Sequence, residues 1–416
     1  ALGIDLDIVW TVPQQQAETK VNVQIAANDL PDISTVSNGQ FKLLTDSNLV
    51  QDLTSVWDEY ASDLTRDAFE VADRGLALSQ VSLDNKLYAI PRTRDNLGGL
   101  PLVYIRQDWL DNVGLPVPTT MAELERVAEA FATMDPDGNG EDDTLGISFT
   151  GNLNDVIGGM NGFFMGFNAY PYLAGSEEVW LESQSGEVMC GAVQPEVRAA
   201  LGTLTDWYDR GILDNEFATR DVVKIAELAS TGKLGVVYAE HWFQWMWPMP
   251  MAMINQPDAE WITIEFPTVS GEPGTTVLAG SLDGAAWVAN RDFQYPESMV
   301  KMLNLYQRMQ SKQSGHYDED YHVITKDDGS KLITWHYALV ASGAEANLYG
   351  VERIAAWYEN RNTDYWENEN PWVADMIEQI RKYIGEIDGN DNMWNWTTWL
   401  WGKPDGAFSI NRRVFE

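Results

Sequence analysis

Short apolar runs and longer amphipathic stretches alternate along this chain from end to end. Ile4, Leu6 and Ile8 alternate with Asp5 and Asp7, the period-two pattern of a half-buried strand. Residues 32–36 read as a second strand after the turn at Asn28 to Pro31, and residues 102–105 read as a third. Thr120 with Glu123 three residues on forms a capping box, and Leu124, Val127, Ala128 and Phe131 then recur at i, i+3, i+4 and i+7, so a helix is predicted there. Leu145, Ile147 and Phe149 follow in a run too short for another helix, hence a strand. Pro195 opens a helix with Val197, Leu201, Leu204 and Tyr208 on one face and Gly211 as its stop. Pro296 opens another with Met299, Met302, Leu303, Tyr306 and Met309. Residues 233–238 read as a strand that ends at Glu240-His241-Trp242, and residues 284–288 as a second segment crossing between domains. Alternation of strand and helix implies an α/β architecture.

Between the capped helix and the strand at Leu145 lies Asp135-Pro136-Asp137-Gly138-Asn139-Gly140-Glu141-Asp142-Asp143-Thr144. Side-chain oxygens at positions 1, 3 and 5, a glycine at 6 and a backbone carbonyl at 7 are the spacing of an EF-hand-type calcium loop. The expected ligands are Asp135, Asp137, Asn139, the carbonyl of Glu141 and Asp143, with Thr144 beside them. Position 12 departs from the motif, because Gly146 stands where an EF-hand has a bidentate Glu. The order helix, loop, strand also lacks the second helix that an opening sensor needs. A structural Ca²⁺ that staples a connection is therefore expected.

The length of 416 residues allows two or three domains, and 44% hydrophobic with 22% charged residues is an ordinary globular balance. Sixty-three acids against 27 bases give a formal charge of −36, a field that repels nucleic acid and anionic lipid, so neither is an expected partner. The single cysteine, Cys190, excludes an intrachain disulfide and a thiolate metal cluster and is expected to be a small buried apolar residue. No run of eighteen apolar residues occurs, and Ala1-Leu2-Gly3 carries no signal-peptide pattern. Calcium at extracellular concentration suits the loop, so export with a removed signal is expected.

Eighteen tryptophans exceed what a core of this size needs, and they cluster: Trp242, Trp245 and Trp247 in one run, Trp394, Trp396, Trp399 and Trp401 in another. An indole plate covers the apolar face of a pyranose while carboxylates and amides bond its hydroxyls, so the clusters point to sugar. The first cluster follows a predicted strand, and ligands of α/β sheets bind at the carboxyl ends of strands. For any one Trp, ordinary packing is the competing reading.

Five passages together carry a family resemblance: residues 27–33, residues 84–91, residues 104–120, the calcium-type loop, and residues 232–236. In their order and spacing the chain resembles the extracellular solute-binding proteins of carbohydrate ABC transporters, in particular the lipoprotein-type group with the alginate-binding and fructo-oligosaccharide-binding proteins. The resemblance implies a two-lobe periplasmic-binding-protein-like α/β fold with a hinge and an interlobe ligand cleft. It implies lobe one from 1–104 and 284–330, and lobe two from 105–283 and 331–416 with the calcium loop at 135–144. The implied ligand-binding residues are Trp242, with Glu240, His241 and Trp245 beside it, Ser37 and Asn38 at a strand end, and Arg94 and Asn96. It further implies an oligosaccharide ligand, a membrane permease as partner, a monomer, and a location that is extracellular, cell-surface anchored or periplasmic, with signal and lipid anchor outside this chain. Thr144 stands where relatives often offer another acid, so a lower calcium affinity is expected. Members usually carry one more strand before the segment matched by Gly3 to Val9 and continue further at the other end, so a fragment or unusual ends are expected.

Enzyme signatures are sparse. There is no G-x-S-x-G elbow, P-loop or dinucleotide fingerprint, and His241, His316, His322 and His336 lack H-E-x-x-H spacing. The sequence is read as a binding protein and not an enzyme. The alternative is a secreted, calcium-stabilised glycoside hydrolase or polysaccharide lyase, since two positioned carboxylates suffice for glycoside hydrolysis. A third reading, a calcium-dependent adhesion protein, leaves the helix–strand alternation unexplained.

Overall fold

A computed structural model describes residues 2–12, 14–71, 75–93, 99–173, 179–182, 186–275, 282–310, 323–325, 331–333, 339, 348–360, 371–389 and 393–415. The chain divides into two compact units, Ala1–Asn96 with Gly280–Tyr349 and Leu97–Ala279 with Gly350–Glu416.

The first unit is built on a three-stranded sheet. Leu282–Ala289 lies in the middle, with Ile33–Ser37 antiparallel on one side and Ile90–Thr93 antiparallel on the other. Ser34 and Val36 point inward while Thr35 is exposed, the alternation of a sheet buried on one face. Helices Asn38–Asp46, Thr54–Tyr60 and Glu297–Gln310 supply the rest of the core, where Leu44, Trp57, Met299 and Leu303 meet Val36 and Trp287. Met299, Met302, Leu303 and Tyr306 are buried as their spacing predicts, and the side chain of Met309 lies outside the described residues.

The strand expected at Ile4 to Ile8 does not form. Residues 2–12 have no regular structure, and Ile8 is 78% exposed. Among the described residues the Ile33–Ser37 strand pairs on one edge only, and residues 2–10 line a cavity of about 1060 Å³ together with that strand. Alternation is a local property, whereas a strand needs a neighbour for its N–H and C=O groups.

The second unit has a four-stranded sheet in the order Trp261–Glu265, Leu102–Arg106, Leu234–Ala239, Leu145–Ile147. The last pair is parallel and the others antiparallel. Leu102–Arg106, which the sequence reading put mostly at the end of lobe one, pairs on both edges with strands of this unit. It and Leu234–Ala239 are buried along their whole length, because apolar layers cover both faces. Val103, Ile105, Val236 and Tyr238 face a core with Trp109, Phe131, Phe149, Phe163 and Trp207. Leu102, Tyr104, Val237 and Ala239 face another with Phe243, Trp396 and Leu400. Gly235 admits this packing, since a Cβ there would lie 2.5 Å from the rings of both Trp109 and Phe131.

The helix Pro195–Asp209 forms between the predicted proline and Gly211, whose φ is +72°. Its buried stripe is Val197, Ala200, Leu204 and Trp207, whereas Leu201 and Tyr208 are 50% and 43% exposed. The large fused ring of Trp207 turned the inward face by part of a turn from the expected one. Cys190 lies half-buried, not buried, in the short hairpin of Trp180–Glu182 with Val188–Cys190.

A buried ion pair joins two loops of this unit. Arg220 donates to Asp214 through Nε at 2.9 Å, and Ser148 Oγ donates to the same carboxylate at 2.9 Å. Burial pushes the Asp214 carboxyl up, but the Arg220 guanidinium, the Glu216 N–H and Ser148 more than offset it, so its pKa lies below the ordinary value.

Candidate functional site

The Leu234–Ala239 strand ends in Glu240, whose N–H donates to the Val156 carbonyl at 3.1 Å and whose side chain is buried. The chain then turns through the short helical segment Phe243–Trp245, which leaves Trp242 and Trp245 half-buried, each with part of its ring at the surface. Trp242 Nε1 donates to Glu240 Oε2 at 2.7 Å, so one edge of the indole is held by a carboxylate. Tyr104, on the neighbouring strand, donates from its hydroxyl to Gln244 Oε1 at 2.6 Å. Burial drives that phenol's pKa well above its usual value, so it stays a neutral donor. Gln244 Nε2 is buried with no acceptor among the described residues.

The second tryptophan cluster comes to the same place. The helix Met393–Gly402 carries Trp396 and Trp401 into the core behind the strand end, while Trp399 is half-buried and Trp394 exposed. Trp401 Nε1 donates to His241 Nδ1 at 2.9 Å, and Trp401 lies 5.5 Å from Trp245 and 4.9 Å from Phe408. The rings of His241 and Phe408 stand perpendicular with centroids 4.7 Å apart. His241 is thus a buried strut of the aromatic platform, and Trp242 and Trp245 are its partly exposed plates. Lys403, mostly buried, places its ammonium 4.5 Å from the Trp399 ring centre. Burial lowers its pKa from the ordinary lysine value.

The other expected contacts have different situations. Ser37 accepts the Gln40 N–H at 3.4 Å while Gln40 Oε1 accepts the Ser37 N–H at 3.0 Å, a capping box that starts the helix Asn38–Asp46. Its hydroxyl also donates toward Glu18 at 3.4 Å, so it is engaged in structure, whereas Asn38 is exposed. Arg94 and Asn96 lie outside the described residues. The large cavity is lined by Ser37 as well, together with Leu6, Ile8, Trp10, Ile33 and Lys301. It contains none of the tryptophan plates.

At the loop 135–144 the capping box is present at its upstream helix, Met121–Thr133, with Thr120 Oγ1 accepting the Glu123 N–H at 3.2 Å. Glu123 in turn accepts the N–H groups of Thr119 and Thr120 and the Thr119 hydroxyl, which lower its pKa to about 2. Because a depressed carboxylate stabilises the fold above its unfolded pKa and loses that contribution on acidification, stability is expected to fall as pH drops from about 4.3 toward 2. A pH series of thermal melts in which Glu123→Gln flattens that slope would bear this out. An unchanged slope would count against it.

Within the loop, Gly138 and Gly140 adopt φ of +68° and +82°. Asp135 accepts the N–H groups of Asn139 and Gly140 at 3.0 Å each. Asn139 Nδ2 donates to Asp137 Oδ2 at 2.9 Å and to Asp143 Oδ1 at 3.3 Å. Asp137 Oδ1 is buried with no partner among the described residues. Desolvation, then a bond shared with Asp135 and the charges of Asp143 and Asp135, raises this carboxyl's pKa. Lys233 forms an ion pair with Asp143 and is the main reason that the Asp143 pKa is lowered. Glu141 is exposed. Thr144 is buried and donates its hydroxyl to the Phe131 carbonyl at 2.7 Å, away from the loop oxygens. No three Asp, Glu, His or Cys residues among the described ones converge as an ion cage. A Cβ on Gly146 would lie 2.0 Å from the Ala128 carbonyl oxygen, so close helix–strand packing, not ligation, governs position 12.

Tyr104, Gln244, Trp399 and Lys403 were not among the expected site residues. Gln244 stands inside the first tryptophan run and Tyr104 in a predicted strand, while Trp399 and Lys403 belong to or follow the second run, which gave no hint of where it would dock.

Residues 3–290 match the profile of the bacterial extracellular solute-binding protein family, and the chain belongs to that family. The polygalacturonan/rhamnogalacturonan-binding protein YtcQ of Bacillus subtilis is 31% identical over 237 residues, 56% of this chain and 43% of that protein. The fructooligosaccharide ABC transporter substrate-binding protein FusA of Streptococcus pneumoniae is 24% identical over 246 residues, 57% of this chain and 44% of that protein. These matches span less than half the length of the curated relatives. Among solved structures, the alginate-binding protein AlgQ2 without calcium ion aligns with a TM-score of 0.59 at 17% identity, over 95% of this chain and 87% of that one. The fold is therefore the periplasmic-binding-protein-like α/β fold expected from the sequence. No helix among the described residues is long and apolar enough to cross a membrane.

Proposed function

We propose that this chain belongs to a protein that captures an oligosaccharide outside the cell by hinge closure and delivers it to the membrane permease of an ABC transporter. The observation that carries the reading is the pair of partly exposed indoles, Trp242 and Trp245, at the carboxyl end of a buried strand, one of them held by Glu240. Such plates cover the C–H faces of sugar rings, and the neighbouring carboxylate and amide offer bonds to hydroxyls. Relatives named as polygalacturonan/rhamnogalacturonan-binding and fructooligosaccharide-binding support it, and their being binding proteins favours it over a glycoside hydrolase or polysaccharide lyase. A ligand shifts an open–closed balance only through its differential affinity, about 5.5 kcal/mol for a near-complete shift. Two or three stacked rings are of that order. The protein acts as a monomer at the cell surface or in the periplasm in this reading, and a relative named a lipoprotein is consistent with a lipid anchor.

Thermal shifts against a panel of neutral and acidic oligosaccharides test the reading. At least one sugar is expected to raise the melting temperature without release of reducing ends. Release of reducing ends in the same tubes would move the assignment to the hydrolase, and no shift with any sugar would remove it.

We also propose a structural Ca²⁺ at the 135–144 loop, held by Asp135, Asp137, Asn139, the Glu141 carbonyl and Asp143. The donors are all hard oxygens, and Asp137 Oδ1 is a buried acceptor lacking a donor, which a cation would satisfy. The ion would hold the turn between helix and strand together. Thr144, engaged with Phe131, is left out of this set. Calcium at a hundred times its Kd is expected to add about 2.7 kcal/mol of stability, read as a melting temperature that falls on adding EDTA. A melt indifferent to both calcium and chelator would count against the ion.

A further inference from the structure

We propose that the Lys233 ammonium is a tethered stand-in for the ion at the 135–144 loop, so that calcium binding exchanges one cation for another and Lys233 sets the affinity. The inference rests on the calcium reading given above. Lys233 immediately precedes the Leu234–Ala239 strand, and its carbonyl accepts the Leu145 N–H at 2.8 Å, which ties the exit of the loop to that strand. From this fixed point its side chain reaches back to Asp143 Oδ2, while Asn139 Nδ2 holds Asp143 Oδ1 at 3.3 Å. Asp135 has both oxygens on backbone N–H groups. The chain's own donors therefore already hold Asp143, the residue that closes the expected ligand set.

A divalent ion that takes Asp143 fully has to displace the ammonium. Lysine suits this role because its charge is a point on a flexible four-carbon stem that can swing into water, unlike the forked arginine. Two consequences follow from one exchange. The competing charge weakens calcium binding, and the same charge keeps the carboxylates of the metal-free loop together. Asp137 and Asp143, both held to Asn139 Nδ2, otherwise repel one another.

The test is calorimetric titration of CaCl₂ into the chelator-stripped chain and its Lys233→Met and Lys233→Gln variants. Lys224→Met is the control, since it removes an equal charge from a lysine paired with Glu227 on the helix Val222–Ser230. Both Lys233 variants are expected to bind calcium about five-fold more tightly than the parent, the scale of one exposed ion pair. Lys224→Met should stay within about two-fold of the parent, since its ammonium pairs with Glu227 and not with a loop carboxylate. Without calcium the Lys233 variants should melt below the parent, with the gap closing at saturating calcium. Calcium affinity unchanged or weakened in both Lys233 variants overturns the exchange and leaves the calcium loop standing. So does an equal gain in Lys224→Met, which would mark a general charge effect. Absence of calcium binding in every protein overturns both.

Discussion

Replacing Trp242 by alanine is expected to weaken oligosaccharide binding by at least about 30-fold while leaving the fold intact. A partly exposed tryptophan at the centre of a binding surface typically contributes about 2 kcal/mol or more, and each 1.4 kcal/mol is a factor of ten. The side chain is half-buried at the rim of the core that Trp396 and Phe243 fill, so its removal leaves the members of that core in place. Glu240→Gln should give a smaller loss, because the amide oxygen still accepts from Trp242 Nε1 but without charge. Calorimetry with a sugar that shifts the parent's melting temperature is the measurement. An unchanged affinity in Trp242→Ala, with the circular dichroism spectrum retained, would take the indole out of the site.

Replacing Arg220 by alanine is expected to cost about 3 kcal/mol of stability, the low end of the range for removing one partner of a buried ion pair, because Arg220 itself is partly exposed. Asp214 is buried and keeps the Ser148 hydroxyl and the Glu216 N–H, but it loses the guanidinium that offsets its desolvation. The loss should shrink on acidification, because Asp214 in the variant can take up a proton at a higher pH than in the parent. Urea melts at pH 7 and pH 4 measure it. Replacing both Arg220 and Asp214, by methionine and asparagine, should be less damaging than Arg220→Ala alone, since no buried charge remains.

Local signals were the legible part of this chain. The capping box at Thr120, the proline start and glycine stop of Pro195–Asp209, and the glycines of the 135–144 loop each act within about one turn of chain, and each stands where the sequence put it. The strand at Ile4 to Ile8 was equally well patterned and did not form, because pattern names a face and pairing needs a partner. The same limit explains Leu201 and Tyr208: a stripe at helical spacing left a choice of faces, and Trp207 decided it.

The candidate site divides along the same line. Glu240, His241, Trp242 and Trp245 were legible because they follow one strand. Ser37 was legible as a strand end, but its hydroxyl proved to be a helix cap. That His241 is a strut, and that Trp245 is backed by another indole, depends on Trp401 and Phe408, about 160 residues further along the chain. No periodicity spans that distance.

By itself the sequence determined the α/β class, the turn chemistry of the acidic loop and the richness in indole, since these follow from composition and from spacings of a few residues. Only the tertiary structure decided which indoles meet water, that Gly146 serves packing against Ala128, and that Lys233 reaches Asp143. Burial and ion pairing depend on which distant segments come together, and that is settled by how the whole chain covers its apolar faces.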